Sequence, residues 1–97
     1  MEIKVRFFTN LREIVGKREE TLTIADETKV TVRLVLTMLS NRFGSPFVEY
    51  VYNSRTAQPK SFLQFLVNGT STTTLNGLET ELKDGAVLAI LPPVGGG

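Results

Sequence analysis

The 97-residue sequence contains no cysteine, no histidine and no tryptophan. Without cysteine there is no disulfide framework, thiolate zinc site or cysteine-held iron–sulfur cluster, and without histidine no Ser-His-Asp triad or imidazole base. Most enzyme classes fall to these zeros alone. An excess of one charge is missing too: 11 basic and 10 acidic residues leave a formal net charge of +1, and Lys17-Arg18 is followed at once by Glu19-Glu20. Such a mixed surface argues against nucleic acid as a direct partner. No apolar run approaches the roughly 20 residues of a membrane span, and the opening MEIKVRFF lacks the apolar segment of a signal peptide. The expectation is a cytoplasmic protein with no membrane partner. No metal site is expected either.

What is present is an ordinary globular composition, 41% hydrophobic and 22% charged, in a length that allows one core. Residues 1–97 therefore read as a single domain. Ile3, Val5 and Phe7 alternate with Lys4 and Arg6, which predicts a half-buried strand. Asn10, with Glu13 three residues on and Gly16 beyond, predicts a short helix over 11–15 capped by Asn10. A second strand is expected over 20–24. Over 29–43 the apolar positions Val30, Leu34, Val35, Met38, Leu39 and Phe43 share one helical face, with Gly44 as the stop. Ser45 as N-cap and Pro46 as first residue predict a further helical turn through Val51, followed by a polar, turn-rich stretch over 53–61 expected to be mobile. FLQFLV (62–67) reads as a strand ended by the turn dipeptide Asn68-Gly69, and VLAIL (87–91) as a central strand buried on both faces. The class is α+β, with one main helix on a mixed sheet.

Of 8 glycines, the last three close the sequence after two prolines, as Pro92-Pro93-Val94-Gly95-Gly96-Gly97. Phosphate-cradling loops need a helix after their glycines, and none follows. The remaining feature is a carboxylate on a stalk without side chains. Four residues from Val94 reach roughly 13 Å, and a chain without Cβ atoms can thread a narrow channel in a partner. A terminal carboxyl, with a pKa of about 3.3–3.7, is an anion at pH 7 and a poor electrophile. It must be activated before a nucleophile can attack it. Adenylation by ATP followed by a sulfur donor gives a thiocarboxylate; an amine gives an amide.

These segments, FFTNLREIVGK (7–17), FLVNG (65–69), LNGLETELKDG (75–85) and VLAILPPVGGG (87–97), resemble the ubiquitin-like sulfur carriers of the molybdopterin synthase small-subunit (MoaD-like) family. The resemblance spans both ends of the chain. It implies a β-grasp (ubiquitin-like) fold with a flexible diglycine tail over 92–97. It implies that Gly97 is adenylated by a MoeB-like, ubiquitin-activating-enzyme-like partner and then thiocarboxylated, with Gly96 as the other diglycine member and Gly95 in the variable place. In the family's scheme the tail enters a MoaE-like large subunit and gives sulfur to a pterin precursor in molybdenum cofactor biosynthesis. The chain itself binds no cofactor, ATP being used by the activating partner, and it is not catalytic alone. Partner docking is expected on Leu91, Pro92, Pro93 and Val94, with Phe8 as a further candidate. Where the family commonly has an aromatic residue before the prolines this sequence has Leu91, its usual acidic residue after Asp84-Gly85 is Ala86, and segment 44–61 is longer. Similar tails serve thiamine and cysteine synthesis, tRNA thiolation and conjugation to protein lysines, and these remain the alternatives.

Overall fold

The computed structural model describes residues 1–92. Strand β1 (Glu2–Phe7) is followed by α1 (Thr9–Val15), β2 (Glu19–Thr23), α2 (Val32–Phe43), α3 (Ser45–Val51), β3 (Gln64–Val67), β4 (Thr70–Ser71) and β5 (Val87–Leu91). The sheet order is β2-β1-β5-β3-β4. β5 runs parallel to β1, and every other neighbouring pair is antiparallel. This is the mixed sheet expected of a β-grasp fold. It carries three α-helices among the described residues, at the places of the expected short helix, main helix and further helical turn, and α2 is the longest of them.

Alternation decides which side of β1 is the core. Ile3, Val5 and Phe7 are buried and Glu2, Lys4 and Arg6 exposed, the period-2 pattern of a sheet covered on one face only. Inward residues of neighbouring strands stand opposite them: Leu22 faces Ile3, Leu88 faces Val5, Ile90 faces Phe7. Helix α2 closes this layer with Val32, Val35, Leu36 and Leu39, all buried. That face differs from the expected one, because Val32 and Leu36 belong to it while Leu34, Met38 and Phe43 are only half-buried. The helix also starts later than expected. Thr31 is its N-cap, with Oγ1 accepting from the Leu34 amide at 3.2 Å, and Val30 is buried just ahead of it.

Two expected caps are replaced. Phe8, not Asn10, is the N-cap of α1, which begins at Thr9, so no capping box forms around Asn10 and Glu13; Gly16 ends the helix in the left-handed conformation as expected. Gly44 caps α3 in place of Ser45, which is already helical, and Pro46 lies in the first turn. Gly44 ends α2 as well, so a single residue turns the chain from one helix into the next. The polar stretch after α3 folds back on itself. Asn53 N–H donates to the Gln58 carbonyl at 2.8 Å and Lys60 N–H to Val51 at 2.8 Å. Asn68 and Gly69 both have positive φ and join β3 to β4 as a two-residue hairpin. The two-residue strand β4 was not expected, since TSTTT has no apolar alternation.

One ionic cluster ties β2 to α2. The Glu20 carboxylate, whose side chain is only 11% exposed, accepts from Lys17 Nζ at 2.8 Å and pairs with Arg42. The Lys17 hydrogen bond, opposed by desolvation and helped by Arg42, holds its pKa below the ordinary carboxylate value. A lowered folded pKa means that this contribution is complete above the unfolded value of about 4.3 and is lost as pH falls through the folded value. Glu20→Gln is expected to cost about 1 kcal/mol near pH 7, a drop of roughly 4–8 °C in Tm for a domain of this size. At pH 2–3 the two proteins should melt together. A gap that persists at low pH would show that the side chain acts through packing rather than charge.

Candidate functional site

The site is built from the centre of the sheet outward. β5 is hydrogen-bonded on both sides, to β1 as far as Phe7↔Ile90 and to β3 as far as Gln64↔Leu91. Leu88 and Ile90 are buried, whereas Val87, Ala89 and Leu91 are half-buried. The expectation of a strand covered on both faces is corrected: helices cover one face, and the other lies open. Its burial follows from parity, because a strand sends alternate side chains to opposite faces. On the open face Lys4 stands beside Val87, Arg6 beside Ala89, and Leu66 on the far side of Ala89. Val87, Ala89, Leu91 and Leu66 thus form a short apolar stripe. Lys4 and Arg6 flank it, loosely paired to Glu19 on β2 at 3.9 and 3.4 Å.

The stripe runs out at the root of the tail. Leu91 is the last strand residue, and Pro92, without an N–H, cannot continue the ladder. Both are half-buried. Of the residues expected to form the tail and its docking surface, Leu91 and Pro92 are described here; Pro93, Val94, Gly95, Gly96 and Gly97 lie outside the described residues. Phe8 is half-buried at the end of β1, immediately after Phe7, the partner of Ile90. Thr9 follows with φ of +48°, which a β-branched residue rarely adopts, so the chain turns sharply into α1 beside the tail root.

Sequence reasoning missed two features of this region. Leu66 was read only as part of the strand FLQFLV, and its pairing with Ala89 and Ser71 assigns it to the open face. Phe62, expected inside that strand, lies before it and is 47% exposed, with Lys60 Nζ 5.9 Å from its ring centroid and the same distance from that of Tyr50. Among the described residues no group of three or more Asp or Glu is placed to hold a metal ion. No helix there is long and apolar enough to cross a membrane. The arrangement presents a rigid strand end, an apolar strip with basic neighbours, and a way out for the last residues of the chain.

The model of the ThiS family matches residues 5–97. Small archaeal modifier protein 3 of Haloferax volcanii is 31% identical over 97 residues, covering all of both chains. The solution structure of small archaeal modifier protein 1 from Methanosarcina acetivorans superposes with a TM-score of 0.81 at 34% identity, over 99% of this chain and 96% of that one. A Pyrococcus furiosus structure assigned as molybdopterin converting factor subunit 1 gives 0.74 at 27% identity, over 97% and 99%.

Proposed function

This chain belongs to the ThiS family of ubiquitin-like sulfur carriers and modifiers, and on that premise we propose that it carries sulfur as a thiocarboxylate on Gly97. One observation carries the reading. β5 is the strand held on both sides in the middle of the sheet, and it hands the chain out through Pro92 to a sequence that ends Val94-Gly95-Gly96-Gly97. A fixed root and a stalk without side chains are what delivery of a terminal group into another protein's active site requires.

The chemistry is that of the terminal carboxylate. Its oxygen attacks the α-phosphorus of ATP on a MoeB-like activating enzyme, pyrophosphate leaves, and an acyl adenylate results. A sulfur donor then displaces AMP at the carbonyl carbon, leaving the thiocarboxylate. Gly96 and Gly95 keep the stalk narrow, and Val94, Pro93, Pro92 and Leu91 are the docking residues nearest the root. The acceptor we assign first is a pterin precursor on a MoaE-like large subunit, which makes this chain the small subunit of molybdopterin synthase. The PPVGGG ending and the FFTNLREIVGK opening support that assignment, as does the Pyrococcus relative assigned to molybdopterin conversion.

A second reading is favoured by the names of the Haloferax and Methanosarcina relatives, both modifier proteins. On it, Gly97 is joined by an amide bond to lysines of other proteins. The two readings share the adenylate and part at the nucleophile. Intact-mass spectra of the chain isolated from cells making the cofactor should show the gain expected when sulfur replaces one carboxylate oxygen. Tryptic digests of the same cells report on the other reading: a conjugate leaves on the target lysine a remnant that begins at Asp84, after the last tryptic site at Lys83. Neither the mass gain nor the remnant in active cells would sink both.

A further inference from the structure

Three arginines that are scattered in the sequence meet at one cavity. It measures about 280 Å3, lies beside the end of β1, and is lined by Arg6, Phe7, Phe8, Arg12, Arg18 and Glu19. Arg6 comes from β1, Arg12 from α1 and Arg18 from the turn into β2, whose carbonyl accepts from the Phe7 amide at 2.9 Å. The lining holds three guanidinium charges against one carboxylate, a surplus of +2 in a chain whose whole net charge is +1. Glu19 is already counted in that surplus; it pairs with Arg6 at 3.4 Å and with Lys4, outside the lining, at 3.9 Å, and Arg12 and Arg18 form no ion pair with it.

Arg12 supplies the second, independent observation. Its Nε is shielded from solvent and has no acceptor among the described residues. A shielded N–H without a partner is a standing cost, and a guanidinium is the donor that matches an oxyanion with a planar fork. Half-buried Phe8 contributes apolar surface to the lining, which lowers the local dielectric and strengthens attraction to an anion. We propose that this cavity is a binding site for a phosphoryl dianion. Two negative charges balance the surplus, and a carboxylate would leave half of it uncompensated. The volume of about 280 Å3 takes a phosphoryl group with room for part of whatever is attached to it. The proposal does not depend on the chemistry of the tail.

Titration of the ¹⁵N-labelled full chain with inorganic phosphate, at ionic strength held constant with chloride, tests it. The expected result is saturable shifts at Phe8, Arg12 and Arg18, including the Arg12 Nε–H signal. Arg12→Gln and Arg18→Gln should each weaken binding about tenfold, as loss of a charge-assisted donor does. Arg18 is exposed and its side chain makes no hydrogen bond among the described residues, so its variant keeps the test valid even if Arg12→Gln unfolds. Acetate and AMP run as parallel arms. AMP binding as tightly as phosphate identifies a nucleotide as a source of the group, and AMP binding more weakly identifies free phosphate. Shifts that do not saturate, shifts matched by acetate, or phosphate binding unchanged in Arg18→Gln would overturn the proposal.

Discussion

A chain shortened by Gly96 and Gly97 is expected to fold as the full one does and to lose its activation completely. The fold survives because the described core ends at β5, and Leu91 is the last paired residue. The truncated protein still ends in a carboxylate, now that of Gly95, so the reactive group is present in kind. It is displaced by about 7 Å, two extended residues, whereas errors near 1 Å already cost about a hundredfold in a positioned reaction. Adenylation measured by pyrophosphate exchange with the activating enzyme should fall to background. The melting temperature should change by no more than about 3 °C, because every residue of the described core is retained. If the shortened chain is thiocarboxylated at anything near the normal rate, Gly97 is not the carrier and the proposed function fails with it.

The largest loss of stability is expected from Phe7→Ala. Phe7 is 1% exposed, sits edge-on to Phe43 at 5.8 Å, and stands opposite Ile90 where β5 leaves the sheet. Removing its ring should cost about 3–5 kcal/mol, because the ring's transfer energy is lost and helix α2 cannot close the gap. Against a total of about 5–15 kcal/mol for a domain of this length, that is about a fifth or more of what holds it together. The midpoint temperature should fall by more than about 10 °C. Phe8→Ala, one residue on, should cost about 1 kcal/mol or less, since Phe8 is half-buried and lies outside the hydrophobic core. Chemical denaturation of both variants measures the contrast. Equal losses would mean that β1 does not turn one face to the core and the other to solvent as described.

That contrast between neighbours was legible in the residues. Ile3, Val5 and Phe7 alternate with charges, and a strand has no other way to satisfy such a pattern. The turn glycines were legible for a similar reason: Gly16 and Gly69 both have positive φ, which few other residues tolerate. The caps were not. Asn10 and Ser45 carry good capping side chains, yet each lies inside its helix, because the strand end at Phe8 and the shared Gly44 decided where the chain turns. The helical face of α2 was misplaced for a related cause. Val30 to Phe43 offers apolar residues around more than half a turn, and only contact with the sheet selects Val32, Val35, Leu36 and Leu39.

By itself the sequence determined the α+β class, the family and the ending on three glycines, since these rest on local periods, turn chemistry and a motif read in order. Tertiary structure decided the rest. Parallel pairing with β1 places VLAIL at the centre, and leaving one sheet face without a helix exposes half of a strand whose residues are all apolar. Within the first β1-α1-β2 unit, the antiparallel return of β2 beside β1 gathers Arg6, Arg12 and Arg18 around one cavity, although the linear charge pattern shows no cluster. Charge and hydropathy along a chain record what each residue is, whereas a site depends on which residues meet, and that is set by the register of strands far apart in sequence.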